Sequence, residues 1–297
     1  MKILVTGSEG NIGSKLVPHL RKNHEVYRAD LIQDYAPDYS VFDIKSAVGV
    51  YDLMGTIKPD VVINLAAMVS RVTCEASPAL TIDTNVNGAY NVARACRLFG
   101  ARMVNFSTSE VYGNLYGDLT EDRSDLEPNN IYGFSKMTGE MIIDYEVRNN
   151  GLKATTIRPF MIYDEDETIG EHRSAMIRFA NSLIKRDMIY VHKGASRSWL
   201  HISDAVRIIE GLMCRDGKFN IGNHDVIPMA VMARMMCDHL GLSYNLYVRE
   251  IEQPKMMTLY KRPYLVRQDM YSGTVPEIDI QKGISLVLEK VKDRLNG

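Results

Sequence analysis

The sequence predicts an α/β fold built on a doubly wound parallel sheet. Short apolar runs alternate with amphipathic stretches of helix length, which is the pattern of strands joined by helical crossovers. The first run ends in a glycine-rich turn that opens a helix. No internal repeat or low-complexity tract interrupts the alternation.

The elements follow in order. Met1-Lys2-Ile3-Leu4-Val5-Thr6 reads as a buried strand stopped by Gly7. The turn Gly7-Ser8-Glu9-Gly10-Asn11-Ile12-Gly13 leads into an amphipathic stretch from Ser14 to Arg21. Its glycines are spaced G-x-x-G-x-x-G, not G-x-G-x-x-G, yet the demands are alike. They are a positive φ, close backbone approach to a pyrophosphate, and a helix N-terminus aimed at it. Gly7, Gly10, Asn11, Ile12 and Gly13 are therefore candidate dinucleotide contacts. The second strand, Glu25 to Asp30, ends in an acid about 20 residues past the turn, where a ribose-binding carboxylate belongs. Asp30 would repel a 2′-phosphate, so NAD is expected over NADP, with Arg28 expected on the other face.

Asp43 and Ile44, after a third strand, are placed at the adenine edge. Asp60 to Ala67 reads as a buried strand ending in small residues, where the backbone of Leu65, Ala66 and Ala67 can pass beneath a cofactor. Ala79 to Phe99 reads as a long helix with Gly100 as its stop. Arg102 to Ser107 is a further strand, and Lys153 to Arg158 a sixth, broken by Pro159.

Between these last two strands lie Tyr132 and Lys136, in Tyr132-Gly133-Phe134-Ser135-Lys136. Four residues apart on a helix, they stand one above the other, and the ammonium is expected to lower the phenol's pKa. A phenolate beside a nicotinamide can take a proton from an alcohol while hydride leaves the same carbon. That is redox chemistry.

Thirty-five basic and 37 acidic side chains leave a formal charge of −2, which gives no electrostatic case for nucleic acid or an anionic membrane. No apolar run reaches the ~18 residues of a membrane span, and Met1 runs straight into the first strand, so a cytoplasmic protein is expected. Cys74, Cys96, Cys214 and Cys237 lack C-x-x-C spacing, and the histidines, His19, His24, His192, His224 and His239 among them, show no metal-ligand pattern. No metal is expected.

Several motifs together carry a resemblance. They are Thr6 to Gly13, Asn64-Leu65-Ala66-Ala67, Asn85-Val86-Asn87-Gly88, Ser107-Thr108-Ser109-Glu110-Val111-Tyr112-Gly113, Tyr132 to Lys136, and Arg197-Ser198-Trp199-Leu200-His201-Ile202-Ser203-Asp204. In this order they resemble the NAD-dependent epimerase/dehydratase family, extended short-chain dehydrogenases that remodel nucleotide sugars. The last third of the chain matches only loosely.

The resemblance implies a Rossmann-like domain over residues 1–160, completed by segments near 195–225, interleaved with a smaller substrate domain over 161–297. It implies bound NAD, further cofactor contacts from Asn85, Ser107, Pro159 and Phe160, a nucleotide-sugar substrate, and a homodimer formed through the helices bearing Asn85 and Tyr132. Thr108 would steady the phenolate, Tyr132 would be the base, and Lys136 would also hold the nicotinamide ribose. Arg197 would contact the diphosphate or sugar, beside Trp199 packing the domain junction, and Ser109 and Glu110 would face the substrate.

Ser109 stands where dehydratases of the family carry an acid, which argues against dehydration. Thr108-Ser109-Glu110 is similar to UDP-glucuronate decarboxylases, whereas Leu126 to Ile131 is closer to the epimerases. Glu110 could also serve a 5-epimerisation. The ranking expected is 4-epimerisation, then decarboxylation or 3- or 5-epimerisation, then 4,6-dehydration or simple sugar dehydrogenation. A non-catalytic dinucleotide sensor is disfavoured because Thr108, Tyr132 and Lys136 are all present.

One departure stands out. Met161 replaces a family asparagine, and Asp164-Glu165-Asp166-Glu167 follows near the expected cleft mouth. This loop is read as solvated. Otherwise it would repel a diphosphate and favour a less anionic or cationic substrate, unless His172 and Arg173 offset it.

Overall fold

The computed structural model describes residues 1–170, 173–252 and 258–296. The main sheet contains β1 (Lys2–Thr6), β2 (Glu25–Asp30), β3 (Tyr39–Val41), β4 (Val61–Asn64), β5 (Arg102–Phe106), β7 (Ala154–Pro159) and β11 (Gly217–Ile221). Its spatial order is β11-β7-β5-β4-β1-β2-β3, and every pairing is parallel. The order reverses between β1 and β4, so a crevice opens beyond their carboxyl ends.

Both faces of the sheet are covered, which is why the central strands β1 and β4 are apolar along most of their length. Ile3 and Val5 face one core with Leu16, Leu20, Ile202, Val206 and Ile209. Leu4 points the other way, against Val50, Met54, Val92, Cys96 and Ile143. The expected long helix runs from Pro78 to Phe99 as three joined pieces, with a π-turn over Asp83–Gly88 in the middle. Gly100 ends it at φ +73°.

The remaining strands are β6 (Asp118–Leu119), β8 (Met161–Tyr163), β9 (Ile189–His192), β10 (Ser196–His201), β12 (Val226–Pro228), β13 (Val248–Ile251) and β14 (Arg262–Pro263). They form three small sheets: β12-β10-β8, β13-β9 and β14-β6. Helices Ala175–Ile184, Met229–Leu240 and Ile280–Asn296 share a separate apolar core with Trp199.

Phe219 to Ile221 does return to the main sheet, in β11 beside β7. β10 does not, because it pairs with β8. Helix Ile202–Leu212 follows β10 and is capped by the His201 ring, which accepts from the Ser203 amide. Among the described residues no helix is long and apolar enough to cross a membrane.

Candidate active site

A cavity of about 830 Å³ lies along the carboxyl ends of β1, β2, β4, β5 and β7. The glycine turn forms one end. Gly7 sits at φ +72°, and a Cβ there would lie 2.6 Å from the Ala66 amide nitrogen. Gly13 has an ordinary φ but no room: its Cβ would lie 2.5 Å from the Gly7 carbonyl oxygen. The turn is thus pressed onto the strand end that carries Leu65, Ala66 and Ala67. Ile12 occupies the N-cap of helix Gly13–Leu20 and offers no side-chain acceptor; the Ser14 and Lys15 amides already donate to the Gly10 and Ile12 carbonyls, which leaves the Gly13 amide at the helix start for an anion. Gly10, Asn11, Ile12, Asp30, Asp43, Ile44, Leu65, Ala66, Ala67, Ser107, Pro159 and Phe160 all line this cavity. The wall fits a dinucleotide.

Asp30 is held open-handed. Its Oδ2 accepts from the Glu9 amide at 2.9 Å and its Oδ1 from the Leu31 amide at 2.7 Å. Arg28 is not on the other face, because residues two apart on a strand share a face. Its guanidinium is instead bound to Glu9 (3.0 Å), Asp34 (3.0 Å) and Asp38 (3.1 Å). A cation so committed is a poor partner for a 2′-phosphate.

Thr108, Tyr132 and Lys136 line the other end of the cavity. Helix Ile131–Asn150 presents the last two, and Asn130 fixes its start by accepting from the Gly133 amide at 2.8 Å. Lys136 does not act as the spacing predicts. Its ammonium donates to the Phe106 carbonyl at the end of β5, at 2.7 Å, and burial lowers its pKa to about 8. The Tyr132 phenol is pushed above its ordinary value by desolvation, and the Glu110 carboxylate adds to that; only the Thr108 hydroxyl pulls the other way. The pair is assembled, but the lysine is spent on backbone.

Four assigned residues behave differently from expectation. Asn85, in the π-turn, does not line the cavity. Its amide is consumed by Met68, on both the backbone N–H and the carbonyl, and by the Ser135 hydroxyl. It braces the Met68 loop against the tyrosine helix and reaches the cavity only through Met68. Ser109 and Glu110 also lie off the cavity wall, because the short helix Ser109–Tyr112 turns them behind Thr108. Arg197 does line the cavity, but its guanidinium already donates to the carbonyls of Ser196, Thr258 and Leu259. Trp199 packs edge-on to Tyr163 at 6.0 Å, in keeping with a junction role.

Sequence reading missed Lys261. Its buried ammonium donates to Glu110 Oε1 at 2.5 Å and lies 3.4 Å from the Ser109 hydroxyl. Glu110 Oε2 accepts from Asn130 Nδ2 at 3.0 Å. Burial alone would raise the Glu110 pKa; Lys261, then Arg71 and Arg197, outweigh it and hold the carboxyl at about 2. Lys261 is lowered to about 8 by its own burial. No motif marks this lysine, because 151 residues separate it from its partner.

The acidic loop is neither solvated nor a repellent surface. Lys15 pairs with Asp164 and Asp166, while Lys290 and Arg294 also hold Asp166. Glu165 takes the His201 ring at 2.8 Å, and Glu167 accepts from both the amide and the hydroxyl of Ser174. Arg71, Arg173, Arg178 and Arg197 meanwhile line the cavity, as does Glu167, so this wall carries an excess of positive charge; burial, then Arg197, Arg178 and Arg71, lower the pKa of His192 beside them. His172 lies outside the described residues. All four cysteines are free thiols, and among the described residues no cluster of three His, Cys, Asp or Glu side chains is arranged for a metal.

A model of the NAD dependent epimerase/dehydratase family matches residues 3–222. The chain belongs to that family. This epimerase/dehydratase family member is an enzyme of an NAD-dependent class. It is 28% identical to UDP-glucuronic acid decarboxylase 6 of Arabidopsis thaliana, with 99% of this chain and 90% of the relative covered. It is 27% identical to protein CapI of Staphylococcus aureus, over 93% and 89%. Its fold superposes on UDP-glucose 4-epimerase of Thermotoga maritima with a TM-score of 0.88 at 20% identity, covering 99% and 100% of the two chains. The dTDP-glucose 4,6-dehydratase DesIV of Streptomyces venezuelae gives 0.86 at 23% identity, over 100% and 98%.

Proposed function

We propose that this enzyme binds NAD and acts on a nucleotide sugar by transient oxidation at C4, with 4-epimerisation as the outcome. The carrying observation is one cavity with a glycine turn and Asp30 at one end and Thr108, Tyr132 and Lys136 at the other. Bound NAD would supply the oxidising, then reducing, equivalent at C4. Gly7, Gly10 and Gly13 would admit its pyrophosphate, Asp30 its adenosine ribose, and Lys136 its nicotinamide ribose. Thr108 would orient the C4 hydroxyl, and Tyr132 would take its proton and later return it. Arg71, Arg173, Arg178 and Arg197 supply charge for a diphosphate, while the acids at 164–167 are internally satisfied, which removes the case for a cationic substrate.

Epimerisation needs no further acid or base, and Glu110, the carboxylate nearest to Thr108 in sequence, lies off the cavity wall. Decarboxylation of a uronate is the second reading. It is favoured by Arg71 and Arg197 gathered about Glu110 and by the full-length likeness to UDP-glucuronic acid decarboxylases. Proton NMR of the NAD-loaded enzyme with UDP-, GDP-, CDP- and dTDP-sugars in D2O separates the two. A new epimer without solvent deuterium supports hydride removal and return at one carbon. Deuterium at C5 with loss of CO2 supports the uronate reading. No conversion of any sugar sinks both.

We also infer a dimer through helices Ala89–Phe99 and Ile131–Asn150. Leu98, Met141 and Tyr145 on these helices are 58%, 61% and 53% exposed. Light scattering showing only the 33.6 kDa chain would remove this inference.

A further inference from the structure

Glu110 sits close behind the reacting end of the cavity and carries a charge that works against Tyr132. Its carboxylate raises the cost of forming a phenolate, as does the Cys74 thiol on helix Arg71–Ala76. The same helix contributes Arg71, and its Glu75 accepts from the Ile131 amide. Glu110 is not a loose neighbour. A Cβ on Gly133 would lie 2.7 Å from the Glu110 carbonyl, so the tyrosine helix is pressed directly onto this residue. Asn130 bonds Glu110 and caps that helix through a single side chain.

Lys261 faces this carboxylate from a segment stitched in place on both sides. Tyr260 bridges Ser196, Arg197 donates to the carbonyls of Thr258 and Leu259, and β14 pairs with β6. Lys261 is 1% exposed, and among the described residues its ammonium's only hydrogen-bond partners are Glu110 and Ser109. An ion pair so buried is poor evidence of stability, since desolvation offsets much of its attraction. Its placement has an electrostatic consequence instead.

We propose that Lys261 is a positioning residue for the reaction. It neutralises Glu110 and fixes its carboxylate against Asn130, so that the phenol of Tyr132 ionises beside an ion pair and not beside a bare anion. This rests on the reading of Tyr132 as the base. Groups acting on the phenol are then Thr108, Glu110 and Cys74, and groups facing Glu110 are Lys261, Arg71, Arg197 and Asn130.

The test compares wild type with Lys261→Met, Lys261→Arg and the double variant Lys261→Met/Glu110→Gln. NADH absorbance is followed in single turnover with UDP-glucose and with UDP-glucuronate across pH 6 to 10. Lys261→Met is expected to move the rising limb of the rate upward by about one pH unit, slowing the step roughly tenfold on that limb. Lys261→Arg should keep the limb in place. The double variant should bring it back towards wild type whatever its absolute rate, because the charge pair leaves together. An unmoved limb in Lys261→Met, with only a lower melting temperature, overturns the proposal. Tyr132→Phe, run in parallel, separates this from failure of the underlying reading: full activity there removes the base itself.

Discussion

At the scale of single residues, the site depends on what each polar group is already bonded to. Among the described residues the Tyr132 phenol has no hydrogen-bonding partner beyond Thr108, while Lys136 is bound to the Phe106 carbonyl and Arg28 to three carboxylates. Tyr132→Phe should therefore lower turnover by about 10²–10⁴-fold, the usual worth of a general base, and leave NAD affinity unchanged. Rate measurements and equilibrium binding on the same preparation check both halves. With the phenol pushed up, the wild-type rate should rise with pH through and beyond neutrality and show no plateau near pH 7.

At the scale of elements, the tyrosine helix is anchored from below by a buried ion pair. Arg158 of β7 donates to Glu140 through Nε at 2.8 Å and Nη2 at 2.6 Å, and both residues are at most 1% exposed. Burial would push the Glu140 carboxyl up; Arg158, with Lys218, brings it below its ordinary value. Arg158→Met would strand that carboxylate and should cost about 3–5 kcal/mol in denaturant unfolding. Arg158→Met/Glu140→Met should recover most of the loss. If the single variant is as stable as wild type, the pair does not anchor the helix. Asn85 belongs to this scale as well: the π-turn aims its amide at Met68 and Ser135, which joins two cavity walls.

At the scale of the molecule, the acidic loop is a seam. It ties helix Gly13–Leu20 through Lys15, β10 through His201, and the C-terminal helix through Lys290 and Arg294. Glu165 is lowered to about 2, first by its bond to His201, and Asp166 to about 2, first by its bond to Lys15. Groups with lowered folded pKa stabilise above their unfolded values and lose that contribution as pH falls through the folded ones. The seam should thus weaken between about pH 4.5 and pH 2. Asp164, raised by burial, opposes this because it folds more readily when protonated. The drop in melting temperature on acidification should be smaller in Glu165→Gln than in wild type, and an equal drop in both would show that the seam carries no such linkage.

The parallel sheet, the glycine turn, Asp30 and the Tyr132/Lys136 pair were all legible in the chain, because each rests on local chemistry. A strand's apolar run, a turn that only glycine can make, and the four-residue spacing of a helix are written within a few neighbouring residues. What Lys136 bonds, where Asn85 points, and how the acids at 164–167 are neutralised were not legible. Most of their partners lie tens to more than a hundred residues away, and groups so separated in sequence meet only when the fold closes. Lys261 is the clearest case. Nothing beside it in the sequence distinguishes it from any other lysine, and the Tyr260–Ser196 bridge and the pairing of β14 with β6 together carry it to Glu110.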